Sequence, residues 1–592
     1  MMSYFLALCK SHPGAVLARY RDLRAEGLLC DVFLEVSGKE FPAHKSLLAC
    51  SSDYFRAMFK DYTRESKASV VRLQAVSATG LQHVLDFIYS SWLSLSLDAL
   101  EDTLEAASYL QVTEAVALCS QYIVNNLGLE NCCFCANVAF KFCLPDAILA
   151  TDKYLVNNIW KLLEQEVGIM ELLELNFKSL LTVVASDDIS KVKELSLLRL
   201  VVKWVKHEKT RLVYTSRLLE HIRFGLVPLE ELRDFYSRPE VLLTGTIKNS
   251  IIQAINYHSF AFRQPLVQDK SSTLRNQKPW IMLVGGGTAH EGLVKKVLAF
   301  DVYNHKWRAT APLPVKVQNH CICAVGNFLY VLGGETPSPS HDDAKSVAMP
   351  VSNAVHRYDP RSDQWMEVMG MLESRAQFSC CAVENSIVAV GGRADAKSFH
   401  SSVEIYDLSR NRWAKTRDLP HKMHGHASAV HNNIIYITGG KYMDQVNTSK
   451  DVYSFNMLKG DWKKQAPMSI ARFGHQMATV KETIFTFLGI YEPFCDIEKF
   501  DPLLNQWTRL RPLIFDRFCY GLVVVEETVL LLGGRKWQDA QEVATPNVVG
   551  YDTENDYWED ICKLPCPLYG LKSAVLQLSD RATEDEKNLK RV

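Results

Sequence analysis

A chain of 592 residues, 47% of them hydrophobic and with a formal net charge of -1, can bury several cores and lacks the general basic excess of a nucleic-acid binder. No apolar run approaches the roughly 20 residues a membrane helix needs, and Met1 to Pro13 carries only a short apolar patch, Phe5 to Leu8, without a cleavage pattern, so neither a membrane span nor a signal peptide is predicted. The 16 cysteines are scattered, many inside apolar runs such as Cys321, Cys323, Cys380 and Cys381, which suits small buried side chains in a reducing, cytoplasmic setting better than a disulfide framework.

Residues 1–126 read as a compact α/β domain. Pro13 to Gly27 has amphipathic helical spacing, and Leu29 to Val36 alternates like a strand. The runs Leu47 to Phe59, Leu85 to Tyr89 and Leu104 to Gln111 follow in that order. From 127 to 263 the pattern is helical throughout, with heptad-like apolar spacing in Ala147 to Leu163, Glu194 to Val205 and Leu218 to Leu226. Cys132, Cys133 and Cys135 contain a CxxC, but no second pair stands at zinc-ribbon spacing, so no metal is predicted there. The polar stretch 264–279 reads as a linker.

Between 280 and 578 one pattern returns six times: an apolar run, a glycine pair, a turn region, then an aromatic residue followed seven positions later by tryptophan. The glycines are Gly285/Gly286, Gly333/Gly334, Gly391/Gly392, Gly439/Gly440, Gly489 with Ile490 in place of its partner, and Gly533/Gly534. The aromatic pairs are Phe300 with Trp307, Tyr358 with Trp365, Tyr406 with Trp413, Phe455 with Trp462, Phe500 with Trp507, and Tyr551 with Trp558. Runs such as Leu329 to Leu332 are short and rich in strand formers, and the glycines after them admit the positive φ of a tight turn. Small sheets of this kind bury their faces only by stacking radially, which predicts an all-β, six-bladed propeller. Five units have a strand-like run before the glycine-bearing one; the first lacks it, and Gly570 to Leu578 is the spare run that completes the first blade. Residues 579–592 are polar and charged and read as a disordered tail.

No catalytic set is present: there is no GxSxG, HExxH or P-loop, and Gly285 to Gly287 lacks a following helix. His424 and His426 alternate on a strand entry and are expected to divide between solvent and blade interior rather than to bind metal. Neither cofactor nor metal is predicted, and function is expected to lie in surfaces.

The motifs Phe41-Pro-Ala-His44, Leu47 to Phe59 and Leu104 to Gln111 resemble a BTB domain. Glu130 to Cys132, Val202 to Val205 and Leu218 to Pro228 resemble the BACK domain, and the six repeats resemble kelch repeats. The chain is thus similar to the kelch-like family, which implies a non-catalytic, cytoplasmic adaptor of a cullin-3 RING ubiquitin ligase. By that resemblance Pro13 to Gly27 is the exchanged helix of a homodimer, and Asp31 and His44 are paired polar groups near its interface. The cullin face is implied at Tyr54, Met58, Phe59, the loop with Thr63 and Glu65, and Tyr89. Binders in the family carry a hydrophobic residue two before the glutamate; here it is Thr63, with Tyr62 as the apolar substitute the sequence offers.

Aligning the inner strands on Val383, Val430, Val480 and Val525 places Arg375, Lys422, Arg472 and Arg517 at one position on four successive blades. Four cations there predict a positive mouth suited to an acidic or phosphorylated substrate segment, with Gln377 and Tyr520 nearby and Phe473 and Phe518 either anchoring a ligand or packing between blades. The alternative, that these basic residues only support loops, stays open. The insertion Glu335 to Asn353 is expected as a flexible loop on the same face. An alternative function of a different class is a dimeric, actin-associated scaffold with no ligase role; copper oxidase chemistry lacks its Tyr and His set.

Overall fold

The computed structural model describes residues 11–60, 62–237, 245–337, 349–443, 447–490, 495–538 and 541–579. The expected tail beyond Ser579, and residues 338–348 of the expected flexible insertion, lie outside the described residues. The chain divides into two compact units, Met1–Val192 with Ser196–Ile222, and Lys193–Leu195 with Arg223–Val592.

The first unit starts with the helix His12–Ala25, which has Pro13 in its first turn and buries none of its residues. A three-stranded sheet follows, with Val32–Val36 in the centre, antiparallel to Lys39–Ala43 and parallel to Val70–Arg72. Ser37 and Gly38, both at positive φ, make the two-residue hairpin between the first two strands. Val32, Leu34 and Val36 point one way into a core completed by Phe41, Leu48, Phe55, Leu81, Val84, Leu85 and Ile88 from the strand and helices that cover the sheet. Beyond it the unit is helical, including the 20-residue helix Pro145–Glu164, and Trp204 is fully buried with its indole N–H donating to Leu175 O at 2.8 Å.

The helical region expected as one domain over 127–263 is shared between the two units. Helices Leu229–Ser237 and Gly245–Ser259 belong to the second. There Arg357 donates to Ala261 O and, at 3.0 Å, to Gln264 Oε1, while Arg361 stacks over Tyr257 at 5.1 Å. Arg275 pairs with Glu194 at 2.7 Å. The polar stretch 264–279 is therefore no free tether: Gln264, Ser272 and Arg275 are buried, and Gln277–Val284 is already a strand.

The rest of the second unit is six antiparallel four-stranded sheets. The first strand of each blade touches the first strands of both neighbours, so these strands close a ring around the axis. The first blade takes its inner strand from the end of the described chain: Lys572–Ser579 pairs antiparallel with Gln277–Val284, from Lys572 opposite Val284 to Ser579 opposite Gln277. Every aromatic of the repeat stands directly opposite its tryptophan on the outer pair of strands, with ring centroids 4.3 to 5.1 Å apart. In five blades the tryptophan N–H then donates to a carbonyl of the preceding inter-blade loop, as from Trp413 to Met369 O at 2.8 Å and from Trp507 to Ala466 O at 2.8 Å. Each of these five wedges thus supplies buried area within a blade and one bond between blades.

Candidate protein-binding surfaces

In the first unit, Ser52 caps the short helix Asp53–Met58 by accepting from the Phe55 amide at 3.0 Å. The cap turns Phe55 into the core and leaves Tyr54, Met58 and Phe59 half-buried along one edge. Tyr54 meets Tyr109 ring to ring at 5.0 Å, with the hydroxyls 3.1 Å apart, and Phe59 stacks on Phe55 under the Lys45 ammonium. Tyr109, the last residue of the helix Leu97–Tyr109, was not among the residues expected on this face, because it lies far from Tyr54 in sequence and only the fold brings the two rings together. The Thr63 hydroxyl donates to Met58 O at 2.5 Å and accepts from the Ser66 amide at 3.2 Å, so it closes the turn after the helix. The exposed apolar group of that loop is Tyr62, 82% accessible, with Glu65 exposed beside it.

Tyr89 does not belong to this surface. It is 1% exposed, its hydroxyl accepts from the His44 amide at 2.8 Å and bonds His44 Nδ1 at 2.8 Å, and burial pushes its phenol up to about 12. His44 Nε2 reaches Leu28 O at 3.2 Å, whereas Asp31 accepts from the Lys45 amide at 2.7 Å. Asp31 and His44 therefore have separate partners rather than one another. Val16, Leu28 and Leu29 stand exposed on and just after the first helix.

In the propeller the expected ring of four cations does not form. The second glycine of each pair donates its amide to the carbonyl that starts the next blade: Gly286 to Val317, Gly334 to Arg375, Gly392 to Met423, Gly440 to Arg472 and Gly534 to Leu568. These bonds fix the true register, and Met423, not Lys422, is the counterpart of Arg375 and Arg472. The strand Ala427–His431 ends on histidine, so alignment on Val430 slips by one. In the fifth blade the glycine pair is replaced by Leu488 and Gly489, not by Gly489 and Ile490: Leu488 follows the strand Thr483–Phe487, has φ +48, and bonds as a first glycine does.

Nor are the three arginines on the rim. Arg375 and Arg472 are fully buried, paired with Glu404 at 2.7 Å and Glu498 at 2.9 Å. Each also donates to the carbonyl of a turn residue, Gly391 at 2.6 Å and Leu488 at 2.7 Å. The same carboxylates accept the amides of Leu372 at 2.6 Å and Ser469 at 2.9 Å, so each pair shapes an inter-blade loop. Arg517 is 5% exposed and donates to Leu531 O at 3.2 Å and Asn547 O at 3.3 Å, with no ion pair among the described residues; burial brings its guanidinium down to about 10 against the opposing charges of Asp560 and Asp516. Tyr520 is buried too, donating to Phe487 O at 2.7 Å. His426 is buried with Nε2 against Val390 O at 3.1 Å, while His424 is half-buried at the mouth.

The mouth of the ring is built one step further along. Asn319, Gln377, Gly425, Gly474, Cys519 and Gly570 occupy one left-handed position in the six blades. They join neighbour to neighbour through amides: Gln377 to Asn319 O at 3.0 Å, Gly425 to Gln377 O at 2.7 Å, Gly474 to Gly425 O at 2.8 Å, and Gly570 to Cys519 O at 2.7 Å. Outside this belt stand the residues that follow each glycine pair: Gly287, Glu335, Arg393, Lys441, Ile490 and Arg535. Arg393 pairs with Glu335 and donates to Gln377 Oε1 at 3.0 Å, and His424 Nδ1 meets the same oxygen at 2.8 Å. Burial and the charges of Arg393 and Lys441 hold the His424 imidazole down to about 4, so it is neutral. The cations at this position are therefore Arg393, Lys441 and Arg535, which the repeat register alone would have marked.

Residues 20–127 match the BTB/POZ domain, 132–237 the domain described as BTB And C-terminal Kelch, and 270–489 the KLHDC2/KLHL20/DRC7 Kelch-repeats domain. Human Kelch-like protein 34 is 48% identical over 99% of this chain and 98% of its own length. The chain belongs to the kelch-like family. Mouse Kelch-like protein 36 is 30% identical over 98% of this chain and 94% of itself, and human Kelch-like protein 15 is 30% identical over 81% of each. Within this kelch-like chain the Tyr54–Phe59 edge lies in the BTB match, and Asn319 to Gly474 of the mouth lie in the kelch match.

Proposed function

We propose that this kelch-like chain is the substrate-recruiting adaptor of a cullin-3 RING ubiquitin ligase. Its BTB domain pairs with a second copy through the helix His12–Ala25 and holds the cullin along Tyr54, Met58, Phe59 and the loop with Tyr62, Thr63 and Glu65. Its propeller captures the protein to be modified, with Gln377 and the cations around it at the mouth, and the exposed Lys422 outside that set. The chain breaks no bond. It raises the concentration of substrate lysines near the charged ubiquitin carrier, and two mouths in a dimer permit bivalent capture. The observation that carries this reading is the half-exposed apolar edge of Asp53–Met58: aromatic and Met side chains beside a polar loop suit the apolar face of a partner helix at little desolvation cost. The free thiols of every described cysteine fit a cytoplasmic site of action.

The test is co-purification of cullin-3 with the full-length chain and with Met58→Asp and Tyr62→Ala variants. Both variants should lose the cullin while remaining dimeric in light scattering. Wild-type protein that fails to retain cullin-3, while sedimenting with actin filaments, would replace the adaptor with the scaffold.

A further inference from the structure

The sixth blade breaks the pattern of the third and fifth. There, a glutamate two residues before the blade aromatic, Glu404 or Glu498, binds the buried arginine and the loop amide of Leu372 or Ser469. The sixth blade carries Val549 at that place, so Arg517 has no carboxylate within ion-pair distance among the described residues, and the Ile514 amide, counterpart of Leu372 and Ser469, is offered no carboxylate there. The loop above it turns Ile514 and Phe515 outward, 83% and 68% exposed. Trp537, 45% exposed, stands beside them on the hairpin Arg535–Gln538 with Gln541–Ala544; its amide is tied to Asp516 at 2.6 Å and its ring lies 6.3 Å from Phe518. Ile490 of the fifth blade is also exposed. On the opposite arc, Lys441 sits over the Phe473 ring at 4.8 Å and meets no carboxylate among the described residues, and Arg393 stands next to it.

Resting on the reading that the mouth captures substrate, we infer that its ligand is a short extended peptide segment of another protein, with an aromatic or branched apolar side chain packed on Phe515 and Trp537 and carboxylates facing Lys441 and Arg393. Exposed apolar area of this size on one arc needs a cover, and the charge on the other arc selects an anion. The cations stand one per blade, and Arg393 and Arg535 each already share a glutamate. That spacing fits singly charged carboxylates along a chain better than one phosphate dianion, which needs converging donors.

Random twelve-residue peptides displayed on phage are selected on the full-length protein, and an enriched peptide is labelled and titrated by fluorescence polarisation. Enriched peptides should combine Trp, Phe, Leu or Ile with at least two acidic residues. Lys441→Glu, and separately Phe515→Ser with Trp537→Ala, should each weaken binding about tenfold with unchanged melting, and replacing the peptide's carboxylates by amides should do the same. Enriched peptides that lack the acidic and apolar pair but still depend on Gln377 and Lys441 would overturn this ligand class and leave capture at the mouth standing. Binding indifferent to every mouth variant, or no enriched peptide, would remove both. A phosphoserine peptide that binds where its glutamate counterpart does not would assign the mouth to phosphorylated partners instead.

Discussion

Arg472 and Glu498 show how a residue read as a ligand contact becomes a structural one. Both side chains are fully buried, and the carboxylate also serves the Ser469 amide. Removing one member strands the other charge, so Glu498→Ala should destabilise the propeller by about 3 to 5 kcal/mol, seen as an earlier melting transition. A stability within 1 kcal/mol of wild type would mean that water takes over the guanidinium. The sequence held a signal for this pairing: glutamate lies two before the blade aromatic only where arginine starts the blade at Arg375 and Arg472, while Val549 stands opposite Arg517. Composition alone reads each arginine as a free cation, because pairing across strands is invisible until register is known. Leu488 is the converse case. Its φ of +48 costs about 1 kcal/mol, yet its side chain is wholly buried among Phe487, Leu513 and Tyr551. Loss of that burial, about 2 to 5 kcal/mol, outweighs relief of the backbone, so Leu488→Gly should lower stability in chemical denaturation despite restoring the glycine of the other blades.

Three histidines, His320, His426 and His475, fill the same place at the head of an inner strand, where Phe378 and Tyr520 stand in other blades. Burial holds His320 and His426 down to about 3 and His475 well below the usual imidazole value. The folded strand therefore keeps them neutral while an unfolded chain takes up protons below about 6.5. Stability should accordingly fall as pH drops from about 6.5 toward 3, because the unfolded state binds more protons across that interval. His426→Phe, which borrows the neighbouring blade's residue, should move the acid-unfolding midpoint to lower pH by circular dichroism; an unchanged midpoint would place the acid sensitivity elsewhere. At this scale the sequence was informative for strands and wedges, since glycine turns and facing aromatics are local features with a fixed spacing. It was less so for Tyr89, whose helical spacing marks it as inward or outward only once the strand that covers it is placed.

For the whole chain, the division into units was the hardest feature to read. Helical periodicity runs unbroken through 127–263, yet Leu229–Ser237 and Gly245–Ser259 group with the propeller: the two helices pack on each other, Arg361 reaches Tyr257 in the second, and Arg357 and Arg275 hold Gln264 and Glu194 across long sequence separations. Closure of the ring was legible, since a lone strand-like run after the sixth repeat matched the one missing from the first. A chain ending before Tyr569 should lose the sharp cooperative melt of the propeller and become sensitive to protease along the whole kelch region. Retention of a single sharp transition would show that the first blade stands on three strands. The pairing of Lys572–Ser579 with Gln277–Val284 also sets an order of events during synthesis: five blades can assemble as they leave the ribosome, but the first, with three of its four strands complete at Ala309, must wait until Lys572–Ser579 emerges. Through that interval its open edge is a natural client for chaperones, and a premature stop even a few codons short of Ser579 spoils the oldest part of the propeller rather than the newest.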